Sequence, residues 1–371
     1  MAIGKKLFYS AVFTIFAMVA LSASPFRGTA ISNETAVDPG DRGKRQPAAR
    51  IITDMAGREV RIPETVKKVL ATSPPPLTFV YMLAPDKLGG WMGPGPAGSN
   101  MNFVPEVYHD LLVIPRGLSS MTYEAYIAAQ PDLVIYECEH EFERAGIDQV
   151  QAQMGPIPVV AFSVNETRNM PGYADTIRFI GDLLDASKQA EALIAYYDDV
   201  LAEVREKVDL IPEENRTRAY YAEGSNGLIT DPKGSQHSQL IDVCGGINAA
   251  DCPMASGRSR TPVTMESVLL WQPEVIIASS REFIGFAALD SSWRKIPAVR
   301  NGRVHLIPTQ PFNWFDRPPG VNRIVGVPWT AHLLYPDHFS DRWLYRKVKE
   351  FFAQFYHYNI SDEELAALLA D

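Results

Sequence analysis

Two stretches of this chain, residues 122–135 (TYEAYIAAQPDLVI) and residues 264–277 (TMESVLLWQPEVII), follow nearly the same pattern. Each begins with Thr, has Glu two residues later, and continues through Gln-Pro and an acidic residue into an aliphatic run. Because proline cannot continue a helix, each copy predicts a helix that ends just before Pro131 or Pro273. The apolar run that follows is typical of a buried parallel strand.

The two copies lie in regions where predicted strands and helices alternate, residues 51–165 and residues 213–371. Such alternation indicates an α/β layer structure with a parallel sheet in each region. Between these regions, residues 166–212 have apolar residues three and four positions apart, which predicts consecutive helices without a strand. The second of these helices is predicted to exceed twenty residues and to divide two α/β lobes.

The composition fits a globular protein rather than a disordered one. The chain has 371 residues, of which 46% are hydrophobic and 21% are charged. Its net charge of −9 argues against a nucleic-acid partner, because phosphate binding relies on clustered Lys and Arg. Neither a G-x-S-x-G nor an H-E-x-x-H motif occurs. His237 lies near Ser235 and Ser238, but adjacency in sequence does not make a catalytic triad. An exported α/β enzyme is therefore the less favoured alternative.

The N-terminal segment predicts export. A basic start, MAIGKK, precedes the apolar run LFYSAVFTIFAMVALSA and small residues, so residues 1–30 are interpreted as a signal peptide cleaved between Ser22 and Ala30. An uncleaved membrane anchor is the open alternative, since the run is close to bilayer length. No Cys follows the run, which argues against a lipoprotein anchor. Residues 31–50 are polar and rich in Gly, Pro and Arg, which predicts a flexible linker.

The chain has three cysteines, and an exported protein meets oxidising conditions. Cys244 and Cys252 lie eight residues apart, and this spacing predicts a disulfide with Cys138 as the free thiol. The open alternative is that Cys244 and Cys252 are unpaired buried thiols.

At this point the arrangement resembles a known family, the substrate-binding proteins of bacterial ABC importers for ferric siderophores, haem and cobalamin. The matching segments are ITDMAGREVRIPETVKKVLA, YEAYIAAQPDLVIYE, AEALIAYYDDVLAEV, MESVLLWQPEVIIAS and IPAVRNGRVHLIP. The resemblance implies two Rossmann-like lobes joined by one rigid helix, with a ligand cleft between them. It further implies a monomeric periplasmic protein, without a cofactor, that captures an iron complex and delivers it to a membrane permease. Cobalamin, haem, or a small oxyanion such as molybdate or tungstate are the alternative ligands.

The resemblance also assigns a role to the repeated Glu. In this family one Glu on each lobe docks into arginine pockets of the permease, and Glu124 and Glu266 occupy the matching positions. Two carboxylates at fixed separation would orient the encounter between the proteins. The open alternative is local: Thr-x-Glu is a helix-start signal, with Thr as the cap and Glu favoured by the helix dipole.

Ligand contacts are expected in the loops that follow strand carboxyl ends. Aromatic side chains there would form flat apolar walls and Arg would bind anionic oxygens, which suits a siderophore. In the open alternatives, Trp314 and Phe315 are core residues, Arg317 pairs with Asp316 or Asp341, and the GRSR segment is a solvated loop. The predicted contacts are Ser73, Trp91, Tyr136 and Glu137 in the first lobe and Tyr221, Arg258, Arg260, Arg281, Trp314, Phe315 and Arg317 in the second; His140, Glu223 and Asp316 lie in the same loops.

The histidines bear on whether the ligand is a bare metal ion. Exported zinc and manganese binders use several His together with carboxylates. The seven histidines of this chain are scattered, so no metal site is predicted. The Arg- and Gly-rich loops keep a small oxyanion open, whereas their aromatic residues favour a larger iron complex.

Overall fold

Two parallel β-sheets form the framework of the chain. The computed structural model describes residues 48–93, 95–98, 102–119, 121–138, 144–163, 169–255 and 260–370. The predicted signal peptide and most of the predicted linker lie outside the described residues, as do Arg258 and His140. The prediction of an α/β fold with two parallel-sheet lobes and a long connecting helix is confirmed.

The first lobe begins with strands and adds a helix after most of them. Its strands are β1 (Ala49–Thr53), β2 (Glu59–Pro63), β3 (Val69–Ala71), β4 (Gly90–Met92), β5 (Leu112–Ile114), β6 (Leu133–Cys138) and β7 (Val159–Ser163). Its helices are α1 (Pro74–Leu83), α2 (Gly95–Gly98), α3 (Tyr123–Ala128) and α4 (Arg144–Met154).

The central sheet of this lobe has the parallel order β3-β6-β7. A parallel bridge between Val69 and Leu88 places the parallel pair β4–β5 beside β3. The antiparallel hairpin β1–β2 is fixed to the sheet by a buried pair, Asp54 and Arg58. Arg58 donates to the carbonyl oxygen of Val159, and Asp54 accepts from the backbone of Ala161, so both partners are anchored on β7.

Two helices, α5 (Tyr173–Leu183) and α6 (Ser187–Val208), connect the lobes. With 22 residues, α6 is the predicted long helix, and it buries apolar residues such as Leu193, Val200 and Val204 along one face. A Cβ at Gly181 would clash with Ala190, so glycine lets α5 pack closely against α6. No helix in the described part of the chain combines the length and apolar character needed to cross a bilayer.

The second lobe repeats the alternation of strand and helix. Its strands are β8 (Arg218–Ala222), β9 (Ile229–Thr230), β10 (Ile247–Asn248), β11 (Thr261–Pro262), β12 (Val275–Ala278) and β13 (Val304–Leu306). Its helices are α7 (Gln239–Val243), α8 (Met265–Trp271), α9 (Arg281–Leu289) and α10 (Pro297–Arg300), followed by α11 (Arg323–Leu334), α12 (Asp341–Phe355) and α13 (Asp362–Ala370). The sheet has the parallel order β10-β8-β12-β13, and β9 pairs with β11 as a separate antiparallel ribbon.

The C-terminal helices contact earlier parts of the chain, including the connecting helix α6 and the first lobe. Helix α11 contacts both α6 and α12. The hydroxyl of Tyr81 on α1 donates to the carbonyl oxygen of Tyr356 at 2.7 Å, which ties the first lobe to the end of α12. A Cβ at Gly326 would clash with the carbonyl oxygen of Trp314, so glycine lets α11 pack directly against the loop that carries Trp314.

The predicted disulfide is not formed: Cys138, Cys244 and Cys252 are all free thiols. The sulfur of Cys244 is buried and faces the carbonyl oxygen of Val327 at 3.4 Å, whereas Cys252 is half-exposed. The segment between them is not a tight loop, because it contains strand β10, which extends along β8. Cys244 is therefore buried while Cys252 is half-exposed, although only eight positions separate them in the sequence.

Candidate ligand-binding site

Charged side chains gather at the carboxyl ends of the second sheet. They follow β8 and β9, precede α7 and β11, and occupy the loop at residues 307–322 that leads from β13 into α11. Loops at this edge of a parallel sheet are where open α/β folds bind ligands. We call the following side chains the charged cluster: Glu223, Asp231, His237, Arg260, Asp316 and Arg317.

Arg317 is the centre of the charged cluster. Its Nε and Nη2 donate to the carboxylate of Glu223 at 2.7 and 3.1 Å, and Nη2 also donates to Asp231 at 2.8 Å. Burial alone would lower the pKa of Arg317, but the hydrogen bonds and negative charge around it raise the pKa. The side chain is 28% exposed, and Nη1 has no acceptor among the described residues. The guanidinium is thus a fixed cation with one nitrogen left for a ligand.

The two carboxylates bound to Arg317 have pKa values that are shifted in opposite directions. Burial would raise the pKa of Glu223, but its two hydrogen bonds to Arg317 and the charge of that group outweigh burial and lower the pKa. Burial raises the pKa of Asp231 to about 6, and the nearby charge of Glu223 adds to this effect. Glu223 therefore stays ionised at neutral pH, while Asp231 is close to its titration range.

His237 is oriented by a buried carboxylate. Its Nδ1 lies 2.6 Å from Oδ1 of Asp316, and the hydroxyl of Tyr221 donates to Oδ2 of the same carboxylate at 3.2 Å. Because a carboxylate only accepts hydrogen bonds, Nδ1 carries the proton. The His237 side chain is 13% exposed, and Nε2 has no hydrogen-bond partner among the described residues. A neutral ring therefore presents a lone pair at Nε2, and a protonated ring presents an N–H.

Asp231, His237 and Asp316 form a group whose ligand atoms lie within 4.8 Å of one another, close enough to surround a metal ion. Their oxygens already accept hydrogen bonds, however. Asp231 accepts from Arg317, from the hydroxyl of Ser235 and from a backbone amide, while Asp316 accepts from His237 and a tyrosine. The network is complete without a cation, so metal binding there would require several of these bonds to break.

The first lobe meets this loop at the start of α1. The hydroxyl of Ser73, just before α1, is buried and has no partner among the described residues. Helix α1 begins with three prolines, which lack amide hydrogens, so it presents a positive dipole end without the usual donors. A Cβ at Gly320 would lie 3.5 Å from Cβ of Pro75, which places the loop at 307–322 against the start of α1.

Two aromatic residues that were predicted to wall the ligand lie in the core. Trp314 and Phe315 are fully buried. The indole nitrogen of Trp314 donates to the carbonyl oxygen of Gln310, and the ring of Phe315 packs 4.9 Å from that of Tyr221. Large aromatic side chains gain most from this enclosure. Trp314, Phe315 and Tyr221 therefore lie in the core beside the charged cluster. Trp91 is buried in the first lobe, where its indole nitrogen donates to the carbonyl oxygen of Tyr108 and its ring packs on Tyr81.

The other predicted contacts are distributed around the loops. Arg260 joins the charged cluster, because its Nε lies 3.3 Å from Glu223 while 59% of its side chain remains exposed. Tyr136 and Glu137 are half-buried at the end of β6, and Arg281 is exposed in the first turn of α9. The structure thus brings Arg260 and Arg317 together, with Ser73 at the junction of the lobes.

Asp231 was not among the predicted site residues, and His237 was not predicted to contact the ligand. Asp231 follows β9, which has only two residues and is too short to predict from its pattern. The available signal was the segment TDPKGSQHS, in which Asp-Pro and Gly indicate a turn after a strand. Polar side chains in such a turn at a strand's carboxyl end are candidates for a ligand site.

The two predicted docking residues are both exposed in the first turns of their helices, Glu124 on α3 and Glu266 on α8. Glu124 has no hydrogen bond or ion pair within the described residues. The pKa of Glu266 is lowered by hydrogen bonds from its own backbone amide and from Thr264. Permease docking by Glu124 and Glu266 stays a prediction.

The family model for periplasmic binding proteins matches residues 112–311, more than half of the chain. The chain belongs to the periplasmic binding protein family. It is 26% identical over 337 residues to the molybdate-binding protein MolA of Haemophilus influenzae, which covers 83% of this chain and 91% of that protein. It is 26% identical over 228 residues to a vitamin B12-binding protein of Vibrio campbellii, covering 60% and 75%.

A solved structure of an ABC transporter solute-binding protein from Sulfurospirillum deleyianum is similar, over nearly the whole length of that protein, to this periplasmic binding protein. The two are 28% identical with a TM-score of 0.74, and the match covers 87% of this chain and 99% of that one. The chain is therefore the periplasmic solute-binding component of an ABC transporter and works with a membrane permease. Its role is to bind a solute.

Proposed function

We propose that this periplasmic binding protein captures a small tetrahedral oxyanion of the molybdate and tungstate class and delivers it to its permease. The observation that carries the proposal is the Arg317 guanidinium, which Glu223 and Asp231 hold in one orientation with Nη1 left over. A guanidinium fixed in this way loses little side-chain entropy when it binds anionic oxygen. The partly exposed Arg260 and the buried hydroxyl of Ser73 supply further donors.

The same observations weaken the argument for a larger iron complex. That prediction rested on aromatic walls in the cleft loops, and the two central aromatic residues, Trp314 and Phe315, are enclosed in the core. What the described loops offer instead is a compact set of polar hydrogen-bond donors. The molybdate-binding relative is similar over most of both chains, which supports the oxyanion independently of the geometry.

An iron chelate is the second candidate, because one observation favours it. Asp231, His237 and Asp316 place potential metal ligands within 4.8 Å of one another. A histidine whose Nδ1–H is held by a carboxylate presents Nε2 in the orientation that metal-binding histidines commonly have. An iron complex with an unfilled coordination position would then be recognised at Nε2 of His237.

Calorimetric titration tests the two candidates against each other. Purified protein is titrated with sodium molybdate, sodium tungstate, sodium sulfate and ferric citrate at the same pH. The oxyanion proposal predicts one site per chain for molybdate or tungstate. Saturable binding of ferric citrate with no binding of either oxyanion would contradict it.

Arg317 variants test the site itself. Arg317→Lys keeps the charge but not the planar fork, so we expect molybdate affinity to fall roughly ten- to hundredfold, corresponding to roughly 1.5–3 kcal/mol for a lost hydrogen bond to a charged group. Arg317→Ala would also remove the guanidinium from Asp231 and leave Glu223 with Arg260 alone, so the stability of this variant must be measured alongside. Arg342→Ala, an exposed position on α12, is the matched control and should bind normally. Normal affinity of Arg317→Lys would place the ligand elsewhere.

The exposed Glu124 and Glu266 support a docking role within this proposed function. They occupy equivalent positions of the repeated pattern, one on each lobe. Carboxylates on two rigid helix starts would position the loaded protein over paired basic sites of a permease. Both residues lie outside the charged cluster, so docking and ligand capture would be separable by mutation.

A further inference from the structure

We infer that Tyr173 and Arg323 are positioning residues for the ligand site, although neither belongs to the charged cluster. They join the two segments of chain between which Arg317 is held, and they fix the separation of those segments. The inference rests on the proposed function and deepens it, because it makes the affinity for an oxyanion depend on a buried hydroxyl outside the charged cluster.

The two segments are joined first by an ion pair of the charged cluster. One is the loop at residues 307–322, which carries Arg317, and the other is the turn at residues 231–238 between β9 and α7, which carries Asp231. Nη2 of Arg317 donates to Asp231 at 2.8 Å, and the Arg317 side chain is partly exposed. The orientation of the guanidinium therefore depends on the separation of the two segments.

A second link between the same segments is fully buried. The hydroxyl of Tyr173, at the start of α5, donates to the carbonyl oxygen of Gly320 at 2.7 Å. Arg323, the first residue of α11, donates from Nε to that hydroxyl at 2.9 Å and from Nη1 to the carbonyl oxygen of Gln236 at 2.7 Å. Tyr173 and Arg323 are both inaccessible to solvent. Three successive hydrogen bonds thus join Gly320 in the loop to Gln236 in the turn.

The Tyr173 hydroxyl is the central group of this link. A carbonyl oxygen only accepts and a guanidinium only donates, so the hydroxyl accepts from Arg323 and gives its proton to Gly320. Phenylalanine at position 173 would remove both bonds and keep the ring, whose centroid lies 5.7 Å from the Arg323 guanidinium carbon. The backbone amide of Arg323 also donates to the Gly320 oxygen at 3.0 Å, so the loop would stay attached to α11. The substitution would therefore loosen the two segments without detaching either.

Ligand binding is expected to make the buried link important. An oxyanion at Arg317 competes with Asp231 for the guanidinium, so it weakens the exposed link between the segments. The buried link involves no group of the charged cluster and keeps its bonds when the ligand enters. Donors that are already held in place lose less conformational entropy on binding. Loosening the segments should therefore weaken capture of the anion.

Calorimetric titration of Tyr173→Phe with sodium molybdate tests the inference. We expect the affinity to fall roughly three- to tenfold, the range for one lost hydrogen bond. The matched control is Tyr197→Phe, because Tyr197 is also buried, its ring lies 5.8 Å from that of Tyr173, and its hydroxyl donates to the carbonyl oxygen of Met170, outside both segments. This control should lose stability and still bind molybdate within about twofold of the wild-type affinity. Equal losses of affinity in the two variants would mean a merely structural role and would overturn the inference.

A double-mutant cycle with Arg317→Lys asks whether Tyr173 acts through Arg317. If it does, the double variant should lose less affinity than the product of the two single losses, because the second change removes an orientation that is already lost. Single losses that multiply would overturn the positioning role. If Tyr173→Phe does not fold, Arg323→Lys takes its place, since lysine keeps the charge but not the fork that reaches both Tyr173 and Gln236.

The wild-type titration separates failure of the inference from failure of the proposed function. Wild-type protein that binds molybdate, together with Tyr173→Phe that binds it equally well, would overturn the inference and leave the proposed function standing. Wild-type protein that binds neither molybdate nor tungstate would overturn both.

Discussion

The two copies of the repeated pattern end alike and begin differently. Each helix is followed by a glutamine in the left-handed region: Gln130, two residues after the end of α3, has φ of 50°, and Gln272, directly after α8, has φ of 45°. A proline follows each, and the chain then enters a central strand of its sheet, β6 or β12. The left-handed residue reverses the chain direction at the helix end, and the proline prevents the helix from continuing.

In the first copy, charged side chains close this turn against the neighbouring strand. The carboxylate of Asp132 accepts from the backbone amides of Lys67 and Lys68 at 2.7 and 2.9 Å, just before β3. The ammonium group of Lys68 donates to the carbonyl oxygen of Ala129 at the helix end. One basic residue and one acidic residue thus join the helix end to the start of the next strand.

The second copy makes the same kinds of hydrogen bonds between the helix end and the neighbouring strand, but with longer side chains. The carboxylate of Glu274 accepts from the backbone amide of Arg218 at the start of β8. The guanidinium of Arg218 donates to the carbonyl oxygen of Trp271 at the end of α8. The Gln-Pro-acid part of the repeat therefore has a structural explanation: it joins a helix to the middle of a parallel sheet.

The helix starts differ because the two threonines do different things. Thr264 caps α8, since its hydroxyl accepts from the amide of Ser267. Thr122 bonds to the residues that precede α3 instead: its hydroxyl accepts from the amide of Ser119 and donates to the carbonyl oxygen of Gly117. The shared Thr-x-Glu therefore does not reflect one capping motif, and the capping interpretation explains Glu266 better than Glu124.

The largest expected effect comes from reversing the charge at both helix starts. Because no residue in the described part of the chain bonds the side chain of Glu124, and the partners of Glu266 are local, we expect Glu124→Lys with Glu266→Lys to leave ligand affinity unchanged. Like charges would then meet at the permease, and uptake by the reconstituted transporter at saturating ligand should fall by at least about tenfold. The control is Glu213→Lys with Glu214→Lys, which lie in a short helical turn before β8. Wild-type uptake by the reversed protein would leave the repeated Glu with only its local role.

The next effect separates the two acidic residues after the proline. Asp132 accepts two backbone amides and is half-buried, whereas Glu274 accepts one and is exposed. We expect Asp132→Ala to lower the free energy of unfolding by about 2 kcal/mol and Glu274→Ala by about 1 kcal/mol or less. Urea denaturation of the two variants measures the difference. Equal losses would mean that the second lobe depends on its turn as much as the first.

The repeat also marks how far the sequence could predict the fold. The helix, the proline and the aliphatic strand of each copy could be predicted because each has a local sequence signal. The 22-residue helix α6 could be predicted from the spacing of its apolar residues. Strands such as β9 and β10 were not, because two residues are too few to establish a period. The pairing that defines them depends on distant segments.

The candidate site was only partly predictable for the same reason. Loop positions after strands could be recognised, so Arg260 and Arg317 were identified. Whether a loop residue faces the cleft or the core depends on its neighbours, and Trp314 and Phe315 turned inward onto Tyr221 and the C-terminal helices. The fixed orientation of Arg317 likewise depends on Asp231, a residue 86 positions away.

A smaller effect tests the opposite roles of the two threonines. Thr264→Asp keeps an acceptor at the helix start and adds a favourable charge, so the stability should change by less than about 0.5 kcal/mol. Thr122→Asp loses the donor to Gly117 and places a carboxylate against a carbonyl oxygen, and it should cost roughly 1–2 kcal/mol. Serine at either position keeps the hydroxyl and serves as the control. Thermal and urea unfolding of the four variants would reveal equal responses if the two helix starts were in fact alike.

The smallest effect concerns the two left-handed glutamines. A residue with a Cβ is strained at positive φ, and glycine relieves this strain while gaining more entropy in the unfolded chain, which leaves a net gain of roughly 0.5–1 kcal/mol. Gln130→Gly should show that gain, because no described residue bonds its side chain. Gln272→Gly should show little, since Nε2 of Gln272 donates to the carbonyl oxygen of Leu269 at 2.6 Å and glycine loses that bond. Alanine at each position keeps the strain and separates the two contributions: Gln130→Ala should be neutral and Gln272→Ala destabilising. Urea unfolding resolves these signs, and a gain at Gln272 as large as that at Gln130 would mean that the helix ends are alike in energy as well as in shape.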